Sequence, residues 1–148
     1  MPKQYETVTL SDAKRMLSAA EAKATSLGIA YNIAIVDAGG HLVAFVRQDG
    51  ALIGSIDLAI DKALTARFFD KTTSELATLA QSGQPLFGIQ KSNAGKVVIF
   101  GGGVPIVSEG NIVGAVGTRE LAGPSDHSVD DDSEQKNPCL DRTCRRPR

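Results

Sequence analysis

Apolar residues recur at three- and four-residue intervals over Thr9–Leu27, at Leu10, Ala13, Met16, Leu17, Ala20, Ala24 and Leu27. That stripe predicts a helix packed on one side. Thr9 with Asp12, or Ser11 alone, can cap its start, and Gly28 can take the left-handed conformation that ends it. Tyr31–Val36 and His41–Arg47 are rich in β-branched and aromatic residues, with the turn cluster Asp37-Ala-Gly-Gly40 between them. They predict an antiparallel hairpin whose side chains alternate with period two. After the loop at Asp49-Gly-Ala, Ser55 stands as cap to a second helix with Ile56, Ala59, Ile60, Ala63, Leu64 and Phe68 at helical spacing, ending near Asp70. Thr72–Ala80 predicts a shorter helix with Leu76 and Leu79 inward, broken by Ser82-Gly-Gln-Pro85.

Leu86–Gly95 reads as an irregular connection. Lys96–Phe100 reads as a strand, Gly101–Gly103 as a hinge, Val104–Val107 as a strand, Ser108–Asn111 as a turn and Ile112–Val116 as a further strand. The order αββααβββ describes an α+β domain with a five-stranded, mostly antiparallel sheet and flanking helices. Strict βαβ alternation, which a doubly wound fold needs, is missing. Beyond Gly117 the apolar periodicity fades, and Asp130-Asp-Asp132 opens a polar, charged stretch. The chain therefore divides into a domain over 1–129 and an atypical C-terminal tail over 130–148, expected to be flexible.

With 148 residues, 16 Lys+Arg against 17 Asp+Glu and a formal net charge of −1, the chain has the size of one domain and no long-range positive field. Neither nucleic acid nor a membrane surface is an expected partner. The longest uncharged apolar runs, Val97–Phe100 and Ile112–Val116, are strand-sized, far short of the eighteen or so residues a bilayer span needs. Met1–Glu6 lacks the apolar core of an export signal, so a cytoplasmic location is expected. Cys139 and Cys144 lie in the last ten residues with no metal-ligand spacing around them.

Few residues are candidates for chemistry. Gly101, Gly102 and Gly103 can serve as a strand bend where another backbone approaches, or as a cradle whose amides meet an anionic or planar ligand. Asp37 opens a turn and can accept its amides, or act as a base. His41 can be an ordinary surface residue, or a neutral imidazole that ligates iron or another transition metal. Asp57 and Asp61, four residues apart on the face of the second helix opposite its apolar stripe, can hold a divalent cation or work as acid and base, or can form a solvated face with Lys62. Arg47 and Arg67 can receive a substrate carboxylate in a bidentate fork. Asp126-His127 is a further pair. A G-x-S-x-G elbow, an H-E-x-x-H pair and a dinucleotide fingerprint are all missing from the sequence.

Taken together, Ile35-Val-Asp-Ala-Gly-Gly-His-Leu-Val-Ala-Phe45, Lys62-Ala-Leu-Thr-Ala66 with Phe68, the Pro85 region, Val98-Ile-Phe-Gly-Gly-Gly-Val-Pro-Ile106 through Gly110, and Val113-Gly-Ala-Val-Gly117 resemble the GlcG/HbpS-like family. Haem-binding proteins and the C-terminal domain of PduO-type cobalamin adenosyltransferases are among its members. The resemblance covers about residues 8 to 117. It implies a five-stranded antiparallel sheet, homo-oligomers that are often octamers, and in some members a bound haem or related tetrapyrrole. After Gly117 the sequence departs from that pattern: Thr118-Arg-Glu-Leu-Ala-Gly-Pro124 stands where a Ser-Gly-Gly turn, an Asp and an Ala-rich helix are expected.

The leading expectation is a small-molecule binding protein holding haem or another planar or anionic ligand, with His41 as axial or edge contact and the Gly101–Gly103 amides admitting close approach. The rival is an enzyme or accessory subunit acting on a small carboxylate or hydroxy acid, with Asp37 or Asp61 as base and Arg47 or Arg67 as clamp. A third is a purely structural subunit with a large apolar interface, supplied by the Met16/Leu17 helix face or the Ile53–Ile56 corner.

Overall fold

The computed structural model describes residues 5–120. Helix α1 spans Leu10–Leu27. Thr9 and Asp12 form a reciprocal cap, with the Thr9 hydroxyl accepting from the Asp12 amide at 3.2 Å and donating to the Asp12 carboxylate at 2.7 Å. Gly28, at φ +68°, closes the helix in the left-handed region. Strands β1 (Tyr31–Asp37) and β2 (Leu42–Arg47) form the hairpin. Helices α2 (Ile56–Phe69) and α3 (Thr73–Leu79) follow, then strands β3 (Gly103–Ser108) and β4 (Asn111–Glu120).

The sheet is antiparallel throughout, in the order β2-β1-β4-β3, with helices packed against it. The expected α+β class and antiparallel sheet are both present. Among the described residues the sheet has four strands rather than five, because Lys96–Phe100 does not join it. A Val-Val-Ile-Phe run has strand composition, but here its backbone answers a helix. The Val98 amide donates to the Thr65 hydroxyl at 3.0 Å, and that hydroxyl donates on to the Asp61 carbonyl at 2.7 Å, which lays the segment along α2. Ser55 is buried but makes no side-chain cap bond to α2, contrary to the expected role.

Central strand β1 is buried from Tyr31 to Val36, so period two gives it two cores. Tyr31, Ile33 and Ile35 pack with Ala13, Leu17, Ala20 and Ala24 of α1. Ala34 and Val36 pack with Ala59, Ala63 and Ala66 of α2 and with Ala115 of β4. Small side chains on the second face let α2 come close. A Cβ at Gly117 would run into the Ala59 carbonyl and the Ala63 amide, so helix backbone rests directly on strand backbone there. The tail over 130–148, with Cys139 and Cys144, and the Asp126-His127 pair lie outside the described residues.

Candidate functional site

At one end of the sheet, the β1–β2 connection is organised by a single carboxylate. Asp37 Oδ1 accepts from the Gly39 amide at 2.8 Å and from the His41 amide at 2.9 Å. The Asp37 amide donates to the His41 carbonyl at 2.9 Å, and the Gly40 amide to the Asp37 carbonyl at 3.0 Å. Partial burial pushes the Asp37 carboxyl up, but the two amides and the neighbouring imidazole outweigh it and hold the group below the usual carboxylate range. Gly40 sits at φ +82°, and a Cβ there would stand 2.7 Å from the Phe68 ring, so the last turn of α2 closes over the turn.

The His41 side chain projects from this frame and is 83% exposed, with Nδ1 3.4 Å from Asp37 Oδ1. A carboxylate beside Nδ1 orients the ring and leaves Nε2 as the nitrogen not facing Asp37. Leu42, the next residue of β2, and Phe68, whose ring closes over Gly40, are both substantially exposed. Among the described residues no group of three or more His, Cys, Asp or Glu side chains could hold a metal ion.

The glycine bend lies elsewhere. Gly103 is level with Gly117 of β4, which is level with Ala34 in the middle of β1, whereas the Asp37–His41 turn lies beyond the C-terminal end of β1. At about 3.3 Å per residue and 4.8 Å per strand, Gly102 and His41 are separated by roughly 13 Å along the strands and 14 Å across them. The structure therefore does not bring His41 and Gly101–Gly103 to one place.

Packing already occupies the ground beside the bend. The Gly103 amide donates to the Thr73 hydroxyl at 2.9 Å, and the Gly102 carbonyl accepts from the Thr118 amide at 2.8 Å. A Cβ at Gly102 would stand 2.6 Å from Lys62 Nζ. Lys62, expected on a solvated face, is only 2% exposed. Its ammonium donates to the Thr118 carbonyl at 3.1 Å and lies 4.7 Å from the centre of the Phe100 ring. The Arg119 guanidinium carbon stands 5.7 Å from the same ring.

The remaining charged candidates do not converge. Arg67 pairs with Asp70 at 2.5 Å. Arg47 is exposed and lies in register with Asn32, at the end of β1 opposite Asp37. Asp57 is exposed, and Asp61 is half-buried, its carboxyl pushed up by burial against the pull of Lys96 and with a further push from Asp57. Sequence reasoning passed over Asn32, Thr65, Thr73 and Arg119. For Lys62 a signal existed: it sits on the same helical face as Ala59 and Ala66.

The sequence matches the family described as "Haem degrading protein HbpS-like" over residues 8–131. A 15.0 kDa protein of Citrobacter freundii, encoded in the dhaT–dhaS intergenic region, is 40% identical over 114 residues, spanning 77% of this chain and 80% of that protein. The corrinoid adenosyltransferase PduO of Salmonella typhimurium is 36% identical over 117 residues, 78% of this chain, but the match spans only 35% of that enzyme. Among solved structures, Klebsiella pneumoniae ORFY superposes with a TM-score of 0.81 at 33% identity, covering 93% of this chain and 90% of that one. A PduOC:heme complex superposes with a TM-score of 0.77 at 31% identity, covering 90% and 93%. The chain belongs to the HbpS-like family.

Proposed function

We propose that this protein binds haem or a related tetrapyrrole and acts as a homo-oligomer, with His41 offering Nε2 to the iron. The observation that carries the reading is the exposed imidazole with Nδ1 turned to Asp37, on a turn fixed by two amides to that carboxylate. The donor set suits the group: a neutral imidazole for iron, with Phe68 and Leu42 as apolar surface for the macrocycle. The similar PduOC fold in complex with haem supports it. Haem supplies the redox-active iron when bound; the chain's own residues hold the imidazole's direction and keep Nδ1 engaged. Within the Gly101–Gly103 bend, the Gly103 amide serves Thr73 and so is engaged in packing rather than offered to the ligand. Exposed Leu52, Ile53 and Val107 offer apolar surface for contacts between copies.

Titration with hemin, read at the Soret band, tests the proposal. His41→Ala should weaken binding at least about tenfold and shift the band. Equal spectra and equal affinity for wild type and His41→Ala would remove the proposed role. Native mass spectrometry of the loaded protein reads subunit count and bound mass together, and a monomer would refute the oligomer.

The rival, catalysis on a small carboxylate with Asp37 as base, has weaker support. The Asp37 carboxylate is engaged by turn amides and held ionised, Arg67 is engaged by Asp70, and Arg47 lies at the far end of the sheet.

A further inference from the structure

We propose that the end of the sheet where Asn32 and Arg119 stand opposite one another binds a small oxyanion that carries its own hydroxyl, a hydroxycarboxylate or hydrogen phosphate. This site is separate from the His41 turn and stands whether or not haem binds there.

Asn32 is 0% exposed and shares the α2 side of β1 with Ala34 and Val36. Its Nδ2 donates to the Leu52 carbonyl at 2.9 Å, but its Oδ1 is buried and accepts no hydrogen bond among the described residues. The residue directly opposite on β4 is Arg119, whose Nε is also buried and donates to no group among the described residues. Opposite on β2 is Arg47. Partners across a ladder project from the same face with Cβ atoms about 5 Å apart, so the orphaned acceptor is flanked by two guanidinium-bearing side chains. Neither arginine belongs to an ion pair among the described residues.

Buried polar atoms without partners are rare, and two of complementary type at one register position ask for one guest. The inventory defines its chemistry. Arg119 lacks an acceptor and Asn32 lacks a donor, so the guest must accept with one atom and donate with another, or do both through one hydroxyl. The guanidinium groups favour an anion with in-plane oxygens. Phe100, 41% exposed, presents its ring to Arg119, and half-buried Gly101 and Gly102 beside it keep this end close to the surface. The Lys62 ammonium on the same ring adds positive charge. A plain carboxylate answers Arg119 and leaves Asn32 Oδ1 unpaired, which is the basis for discrimination.

The test uses full-length, haem-free 15N-labelled protein and follows the Arg119 Nε–Hε and Asn32 side-chain amide resonances during titration with L-lactate, inorganic phosphate or acetate. Saturable shifts at both groups with lactate or with phosphate are expected, and the probe that acts identifies the source. Acetate should bind at least about tenfold more weakly. Arg47→Gln, and Arg119→Gln, which also takes the guanidinium off the Phe100 ring, should each weaken binding while leaving backbone resonances away from Phe100 in place. Silence of both resonances at millimolar lactate and phosphate would mean that a structural water alone joins the two atoms, and would overturn the proposal. So would equal affinity for acetate, or unchanged affinity in Arg119→Gln.

Discussion

Replacing Gly103 with alanine tests whether the glycine bend exists to admit helix α2. The new methyl carbon would stand 2.5 Å from the Lys62 carbonyl oxygen and 2.5 Å from Thr73 Cγ2. Ordinary contact begins near 3.4 Å, so α2 backbone on one side and Thr73 on the other must each give by roughly 0.9 Å. Neither yields easily. The Lys62 carbonyl is part of a helix resting on Gly117, and Thr73 holds the Gly103 amide at 2.9 Å. Overpacking of this kind costs about 1–3 kcal/mol, and a stretched buried hydrogen bond adds about 1 kcal/mol. The expected loss is therefore about 2–4 kcal/mol, read as a lower urea midpoint at unchanged slope. Gly54→Ala is the control, because no atom lies within 4 Å of its Cβ position; it should stay within about 0.5 kcal/mol of wild type. Equal midpoints for the two variants would refute the close-approach account. Since His41 lies beside β2, at the edge of the sheet opposite β3, Gly103→Ala protein that remains folded should still bind hemin.

Asp37→Ala removes the acceptor of two amides on a partly exposed turn and should lower stability by about 1–2 kcal/mol in urea unfolding at neutral pH. Because the folded state holds this carboxyl below its usual range, its contribution is present above the unfolded value and lost as pH falls through the folded one. The gap between wild type and Asp37→Ala should therefore close on acidification; a gap that widens there would contradict the assignment. Asp61 has the opposite sign. Its carboxyl is pushed up, so ionisation opposes folding as pH rises past the unfolded value, and Asp61→Asn should raise Tm at pH about 7 with the gain vanishing in acid. Thr9→Ala breaks the reciprocal cap of α1 and should cost about 1 kcal/mol by thermal or urea unfolding.

Elements whose order is written locally were legible without coordinates. The α1 stripe, the cap at Thr9, the stop at Gly28 and the hairpin around Asp37–Gly40 each follow from spacings within a few residues. Lys96–Phe100 was not, because its strand composition meets a threonine hydroxyl on α2 that no local spacing announces. Lys62 failed for a related reason. A charge is assigned to solvent by default, yet here the missing side chain at Gly102 and the Phe100 ring make a berth for its ammonium.

The same distinction governs the two ends of the sheet. β1 is buried on both faces from Tyr31 to Val36, and the two proposed sites sit towards its two ends, the His41 turn after Asp37 and the Arg119 and Arg47 register position at Asn32. The Asp37–His41 end is assembled within five consecutive residues, and both its candidate chemistry and its turn could be read directly. At the Asn32 end the partners come from β2, β4, the Leu52 carbonyl and the Phe100 segment, brought together only by the register β2-β1-β4. A slip of one residue in the β1–β4 pairing would turn Arg119 to the other face and separate it from Asn32. The second site is thus a property of register rather than of motif, and a shifted pairing seen in cross-strand NOEs would dissolve it while leaving the His41 turn intact.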